Sequence, residues 1–275
     1  MPVFETPGSV SLQIRLPSGR VLVTTSDEPR TQVELVPLGR GGQDAIENVV
    51  VRADERAGGH VITIEQGDRI RLGPIRISWG SDVEVRITCP AGADLDLADG
   101  STELRVVGRL GEVSARSASG DIRLGVVSGR LQIKTASGDV SVESSEADAS
   151  IVTVSGDLEI GRIERSVTAR SVSGDVEVGA VRGLLTVTST SGDVDLKAVE
   201  AGEVRIQTVS GDARIAVGRG TRVFIDAASI SGDLGSELGI ADEGPAEGQG
   251  PVVPLHVKTV SGDVAIVRAA ESVSA

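Results

Sequence analysis

From Ser101 to Arg268 the apolar residues keep fixed distances from a recurring triplet. Ser-Gly-Asp occurs at Ser119, Ser137, Ser155, Ser173, Ser191, Ser210, Ser231 and Ser261, at spacings of 18, 18, 18, 18, 19, 21 and 30 residues. A degenerate copy, Ser101-Thr102-Glu103, lies 18 residues further upstream. Counted from each serine as zero, the apolar positions fall at offsets 3, 5, 8, 12, 14 and 17. In one unit these are Val176, Val178, Val181, Leu185, Val187 and Thr190; in another, Ile122, Leu124, Val127, Leu131, Ile133 and Ala136. The gaps run 2, 3, 4, 2, 3, 4, so the elementary unit is nine residues, used twice in each 18.

Within each half, the alternation with period two predicts a short strand with one buried face, and no helical period competes. The triplet between strands reads as a corner. Its glycines, Gly120, Gly138, Gly156, Gly174, Gly192, Gly211, Gly232 and Gly262, can take a positive φ without a Cβ penalty, and Ser and Asp can bond nearby amides. An identical corner every 18 residues stacks parallel strands about 4.8 Å apart, each coil covering its neighbour's apolar face. The expected fold is all-β: a parallel β-solenoid with about 18 residues per coil in two nine-residue halves, preceded by an irregular β region. Two nine-residue sides favour a flattened two-sheet coil over a three-sided one, and parallel crossovers favour a right-handed path.

Residues 1–100 are strand-rich without keeping the period. Val10 to Leu16, Arg20 to Thr24, Thr31 to Val36, Asn48 to Arg52, His60 to Glu65, Ile75 to Trp79 and Val83 to Cys89 read as strands, with one helical turn at Gln43 to Glu47. This region is expected to be an irregular β domain, or degenerate capping coils, over the first edge of a solenoid spanning 101–268. The segment 235–254, rich in Gly, Pro and acid, reads as a loop insertion, and 269–275 as a flexible tail.

Composition narrows the function. The 275 residues are 39% apolar, enough for a core, but that apolar set is Val, Ile, Leu and Ala with only Phe4, Phe224 and Trp79 as aromatics. With 40 acidic against 27 basic residues the net charge is −13, which repels nucleic-acid phosphates, and base-stacking platforms are missing too. Cys89 stands alone, so no intrachain disulfide or cysteine zinc site forms, and it reads as a small buried hydrophobe. Neither a signal-peptide pattern nor a membrane-length apolar run is visible, so the expected location is cytoplasmic.

The candidate chemistry is thin. Stacked corners would line up Asp121, Asp139, Asp157, Asp175, Asp193 and Asp212, weak calcium candidates, against the plainer reading that each Asp closes its own corner on backbone amides. At offset 4 the outward residues run Arg105, Arg123, Ser141, Glu159, Glu177, Asp195 and Arg214: a solvated face, or a stripe for a basic partner. His60 and His256 are the only histidines, and no nucleophile triad or phosphate loop is present, so no enzyme activity, catalytic residue or cofactor is expected.

The units Thr135-Ala136-Ser137-Gly138-Asp139-Val140, Thr190-Ser191-Gly192-Asp193-Val194 and Thr259-Val260-Ser261-Gly262-Asp263-Val264 follow a T/S-x-S-G-D-V pattern, and the chain opens on Phe4-Glu5-Thr6-Pro7-Gly8. In these it resembles the bacterial putative-adhesin β-strand-repeat family of toast-rack type, a domain of unknown function. The resemblance covers most of the chain and implies the fold, with no site residues. The functional expectation is a non-catalytic structural or protein-binding scaffold, a monomer or small oligomer that meets a protein partner on its flat faces or the 235–254 loop. A self-assembling filament element and an adhesin-like cell-envelope module are the alternatives.

Overall fold

The computed structural model describes residues 1–39, 42–56, 58–66, 83–238 and 252–269. The strand expected at Ile75 to Trp79, the middle of the 235–254 loop and the tail beyond residue 269 lie outside the described residues. The chain forms two compact units, 1–138 and 139–275.

The second unit shows the repeat in its plainest form. Strands Val140–Ser145, Leu158–Ile163, Val176–Val181, Val194–Val199 and Ala213–Val217 pair in parallel as one sheet. Strands Ala149–Ser155, Ser166–Ser173, Leu184–Ser191 and Glu203–Ser210 form another. Every coil therefore has two strands, the flattened form. Val176, Val178, Val181, Leu185 and Val187 are all buried, as are their equivalents in neighbouring coils. The β-branched core follows from this geometry: strands in register place similar side chains in columns, and stiff, narrow residues fill columns without voids.

The sixth apolar offset is a correction. At offset 17 the side chains of Ala136, Val154, Val172 and Thr190 are exposed, as is Val209 at offset 18 of the 19-residue unit, and the buried residues lie one position earlier, at Thr135, Thr153, Ser171, Ser189 and Thr208. Strand alternation continues unbroken from Leu131 and Ile133 to Thr135, so the inside position carries a hydroxyl and the outside one an aliphatic group. In three of the five the hydroxyl turns back on the main chain: Thr135 Oγ1 donates to the Ser137 carbonyl at 3.0 Å, Ser189 Oγ to Ser191 at 3.2 Å and Thr208 Oγ1 to Ser210 at 3.3 Å, whereas Thr153 and Ser171 are buried without such a bond.

The order of the final coils also departs from chain order. Val252–Ser261 lies between Glu203–Ser210 and Arg222–Ser231, and Val264–Arg268 lies between Ala213–Val217 and Leu234–Ser236. The outermost coil is thus the Ser231 coil, and the chain returns one layer inward to lay down the Ser261 coil. The 30-residue spacing reflects this return as well as an insertion.

The first unit begins its stacking well before residue 101. The strand Ser9–Ser26 pairs in parallel along most of its length with Asp94–Val107, which runs through residue 100 without a break. Asp94–Val107 in turn pairs 18 residues on with Val113–Ser119 (Leu95 with Val113) and Ile122–Val127 (Leu104 with Ile122). On its other side Ser9–Ser26 pairs in parallel with Gly59–Gln66 and Val83–Pro90. Antiparallel strands end both stacks: Val49–Arg56 on one, Arg30–Pro37 followed by Val3–Glu5 on the other. A five-residue helix, Gly42–Ile46, falls where one helical turn was expected.

Candidate binding faces

The corner is the most repeated chemical feature. Seven of its eight glycines have positive φ, from 116° at Gly138 to 149° at Gly262. Gly232 does not, yet a Cβ there would collide with the Gly262 carbonyl oxygen, as one on Gly192 would with that of Gly174. Close stacking of main chains therefore demands glycine even where the torsion does not.

The aspartates do not close their own corners. Oδ1 of Asp139 accepts the amide N–H of Asp157 at 3.0 Å, and the relation repeats from Asp157 to Asp175 at 2.9 Å, then Asp193 and Asp212 at 2.8 Å each. It continues through Asp263 to Asp233, both at 2.8 Å, in the spatial order of the coils. Each carboxylate thus reaches the amide of the next coil, which offsets the repulsion of a column of like charges. Asp121 stands at the equivalent corner of the first unit. Among the described residues no group of three or more His, Cys, Asp or Glu side chains converges as a metal site. The column is a ladder of single carboxylates.

The outward offset-4 residues of the second unit are largely compensated. Lys197 Nζ lies 2.7 Å from Asp195 and 3.5 Å from Glu177, and Ser141 donates to Glu159 at 3.3 Å. In the first unit Arg123 pairs with Asp121 at 2.9 Å and with Glu103 at 3.4 Å. This face is a set of local ion pairs in water, each contributing about 0–1 kcal/mol.

The opposite sheet of the second unit is different. Its outer surface carries a column formed by Val154, Val172, Thr190, Val209, Val260 and Ile230, one residue per coil and in register. Val154, Val172, Val209 and Val260 are each about half exposed, and Ile230 more so. Beside it runs a second exposed column that includes Arg170, Thr188, Gln207 and Lys258. Sequence reasoning placed these aliphatic positions in the core; the signal that finds them is the unbroken alternation back to offsets 12 and 14.

His60 is in the strand Gly59–Gln66 of the first unit, and His256 is in the second, with Nδ1 at 3.2 Å from Asp226 and Nε2 at 3.8 Å from Glu203 on an open strand surface. Cys89 is fully buried, and desolvation pushes its thiol up to about 12, which leaves it unreactive. A shallow depression of about 310 Å³ in the first unit is lined by Ser11, Asp94, Leu95, Asp96, Glu112, Ser114 and Arg116. Asp94 there accepts the Glu112 amide at 2.7 Å, and Asp96 pairs with Arg15. These acids hold neighbouring coils together. No helix among the described residues is long and apolar enough to cross a membrane.

Paired parallel strands, glycine corners and an inter-coil aspartate ladder define a β-solenoid of Ser-Gly-Asp repeats. The chain belongs to the Toastrack DUF4097 family, whose model matches residues 11–268. Among solved structures it is similar to a putative adhesin from Parabacteroides distasonis at 14% identity, covering 95% of this chain and 92% of that one with a TM-score of 0.47. A putative lipid binding protein from the same organism aligns at 13% identity over 96% and 94%, TM-score 0.46. A putative adhesin from Bacteroides fragilis aligns at 12% over 97% and 95%, TM-score 0.43. No curated protein matches.

Proposed function

We propose that this chain is a non-catalytic scaffold that binds another protein along one outer sheet face of its second unit. The observation that carries the reading is the in-register column Val154, Val172, Val209 and Val260, exposed on a flat sheet and flanked by Arg170 and Lys258. Isolated surface valines need no explanation, but a stacked row of aliphatic side chains, broken only by Thr190, has the composition of an interface centre, with polar and cationic residues as its rim. Among the described residues the other sheet, covered largely by compensated ion pairs, offers no such row.

The test is crosslinked affinity capture from the source cells, with the wild type beside a Val172→Glu/Val209→Glu variant. Both positions are outside the core, so the variant should melt within a few degrees of the wild type. The captured partner should be lost. A partner retained in full by a folded variant would remove this face from consideration.

A further inference from the structure

The aliphatic column of the second unit has two unlike borders. Three residues after each of its members comes a ladder aspartate: Val154 precedes Asp157, Val172 Asp175, Thr190 Asp193, Val209 Asp212, Val260 Asp263 and Ile230 Asp233. The two columns therefore climb the stack side by side, in the same coil order. The ladder hydrogen bonds use Oδ1 alone, and all six aspartates are exposed. None of the six is paired with a basic side chain among the described residues. The other border carries two cations, Arg170 and Lys258, in a register column with Val152, Thr188, Gln207 and Ala228. On the opposite sheet Asp195 and Glu177 share Lys197, so charge is balanced there and left unbalanced beside the valines.

We propose that the partner of the valine face is a basic amphipathic α-helix, laid along the stack with its apolar stripe on the aliphatic column and its lysines and arginines over the aspartates. The inference rests on the valine face being the docking surface and names the chemistry of what docks there. Like charges repeated about every 4.8 Å repel one another, and a cationic partner relieves that repulsion while being steered to the face. The spacing selects the helix. One turn of helix advances about 5.4 Å, so over the five steps from Val154 to Ile230 turns and coils drift apart by only about 3 Å. Like-facing residues of an extended strand advance about 6.7 Å and drift by about 9 Å over the same five steps. Residues at i, i+3, i+4 and i+7 of a helix can therefore meet successive coils, with an apolar stripe and a neighbouring basic stripe matching the paired columns.

The probe is a fluorescent helical peptide of about 18 residues, built from alanine with a leucine stripe and an adjacent lysine stripe, titrated with the full chain by anisotropy. Two control peptides carry glutamate for lysine or the same composition scrambled. The wild type should bind the lysine helix at concentrations below about 100 micromolar and neither control, with affinity falling as salt rises. Asp175→Asn/Asp212→Asn, which keeps an acceptor at Oδ1, should weaken binding roughly tenfold or more, as should Val172→Ser/Val209→Ser. Glu159→Gln/Glu177→Gln on the opposite sheet removes the same charge and should leave binding within about twofold. Thermal melts confirm that each variant is folded. Equal losses on both sheets would mean diffuse attraction to an acidic chain, and would overturn the proposal. So would absence of binding, equal binding of either control peptide, or a wild type whose valine face is occupied by a second copy in sedimentation. A cellular partner lost on Val172→Glu/Val209→Glu but kept in full by Asp175→Asn/Asp212→Asn would leave the docking face standing and remove the basic helix, so the two readings fail separately.

Discussion

The amide of Asp175 donates to Oδ1 of Asp157 at 2.9 Å, so a side chain in one coil fixes the main chain of the next. Because the acceptor is one oxygen, an asparagine can replace it. Asp157→Asn should stay within about 0.5 kcal/mol of the wild type in denaturant melts, while Asp157→Ala should lose roughly 1–2 kcal/mol. Equal losses for both would mean the ladder contributes through charge rather than through its hydrogen bond.

The same relation sets the response to cations. With each Oδ1 of the ladder engaged and no converging third acid among the described residues, millimolar calcium should leave the melting temperature almost unchanged. A rise of many degrees, reversed by EDTA, would show that the column recruits metal after all.

Neighbouring positions should differ sharply. Val178→Asp puts an unpaired charge between the sheets and should cost several kcal/mol, roughly 3–5, whereas Glu177→Lys at the exposed neighbour should change stability by less than about 0.5. The corrected offset gives a sharper pair: Ser171→Asp should be severe and Val172→Asp nearly silent. Thermal melts of all four decide whether alternation, rather than hydrophobicity, assigns the faces.

Two acids of the first unit should respond to pH in opposite senses. Burial opposes the charged form of Glu84, but hydrogen bonds from Arg86 at 2.6 Å and Arg20 at 3.2 Å outweigh it and hold the carboxyl below the usual range. Its stabilisation is present above the unfolded carboxylate pKa and is lost as pH falls through the folded one. Asp99 is pushed up by desolvation, opposed in part by Ser117 and Thr102, so its ionisation destabilises the fold at neutral pH, a cost relieved as pH falls through its folded pKa. Glu84→Gln should lower stability at neutral pH by roughly 1 kcal/mol and flatten the acid limb, and Asp99→Asn should raise the neutral-pH melting temperature. Chemical denaturation between neutral and acid pH checks both directions.

Periodicity made the repeating part of the fold legible: Val176, Val178, Leu185 and Val187 declared the strands, and the Ser-Gly-Asp triplets declared the corners. The inside position before each corner was misread because Thr135 and Ser171 look polar and Val172 looks apolar, and a hydroxyl satisfied by its own main chain, as at Thr135, leaves no trace in composition. Coil order was hidden for a different reason. Ser231 and Ser261 head identical motifs, and an identical motif says how a coil stacks but not on which neighbour. Likewise nothing local in Val10 to Leu16 announces that its parallel partner lies at Asp94–Val107.

The inward return of Val252–Arg268 carries a consequence for how the chain is made. During synthesis the Ser231 coil emerges before the layer on which it rests, so its final pairing must await the Ser261 segment. Ser9–Ser26 poses the mirror problem, since it emerges early and is sandwiched only after Gly59–Gln66 and Val83–Pro90 arrive. A solenoid is ordinarily the most local of folds, growing layer on layer like a stack built from one side. Here Val252–Ser261 in one unit and Ser9–Ser26 in the other are each held between segments distant in the chain, so completing these layers is a long-range event.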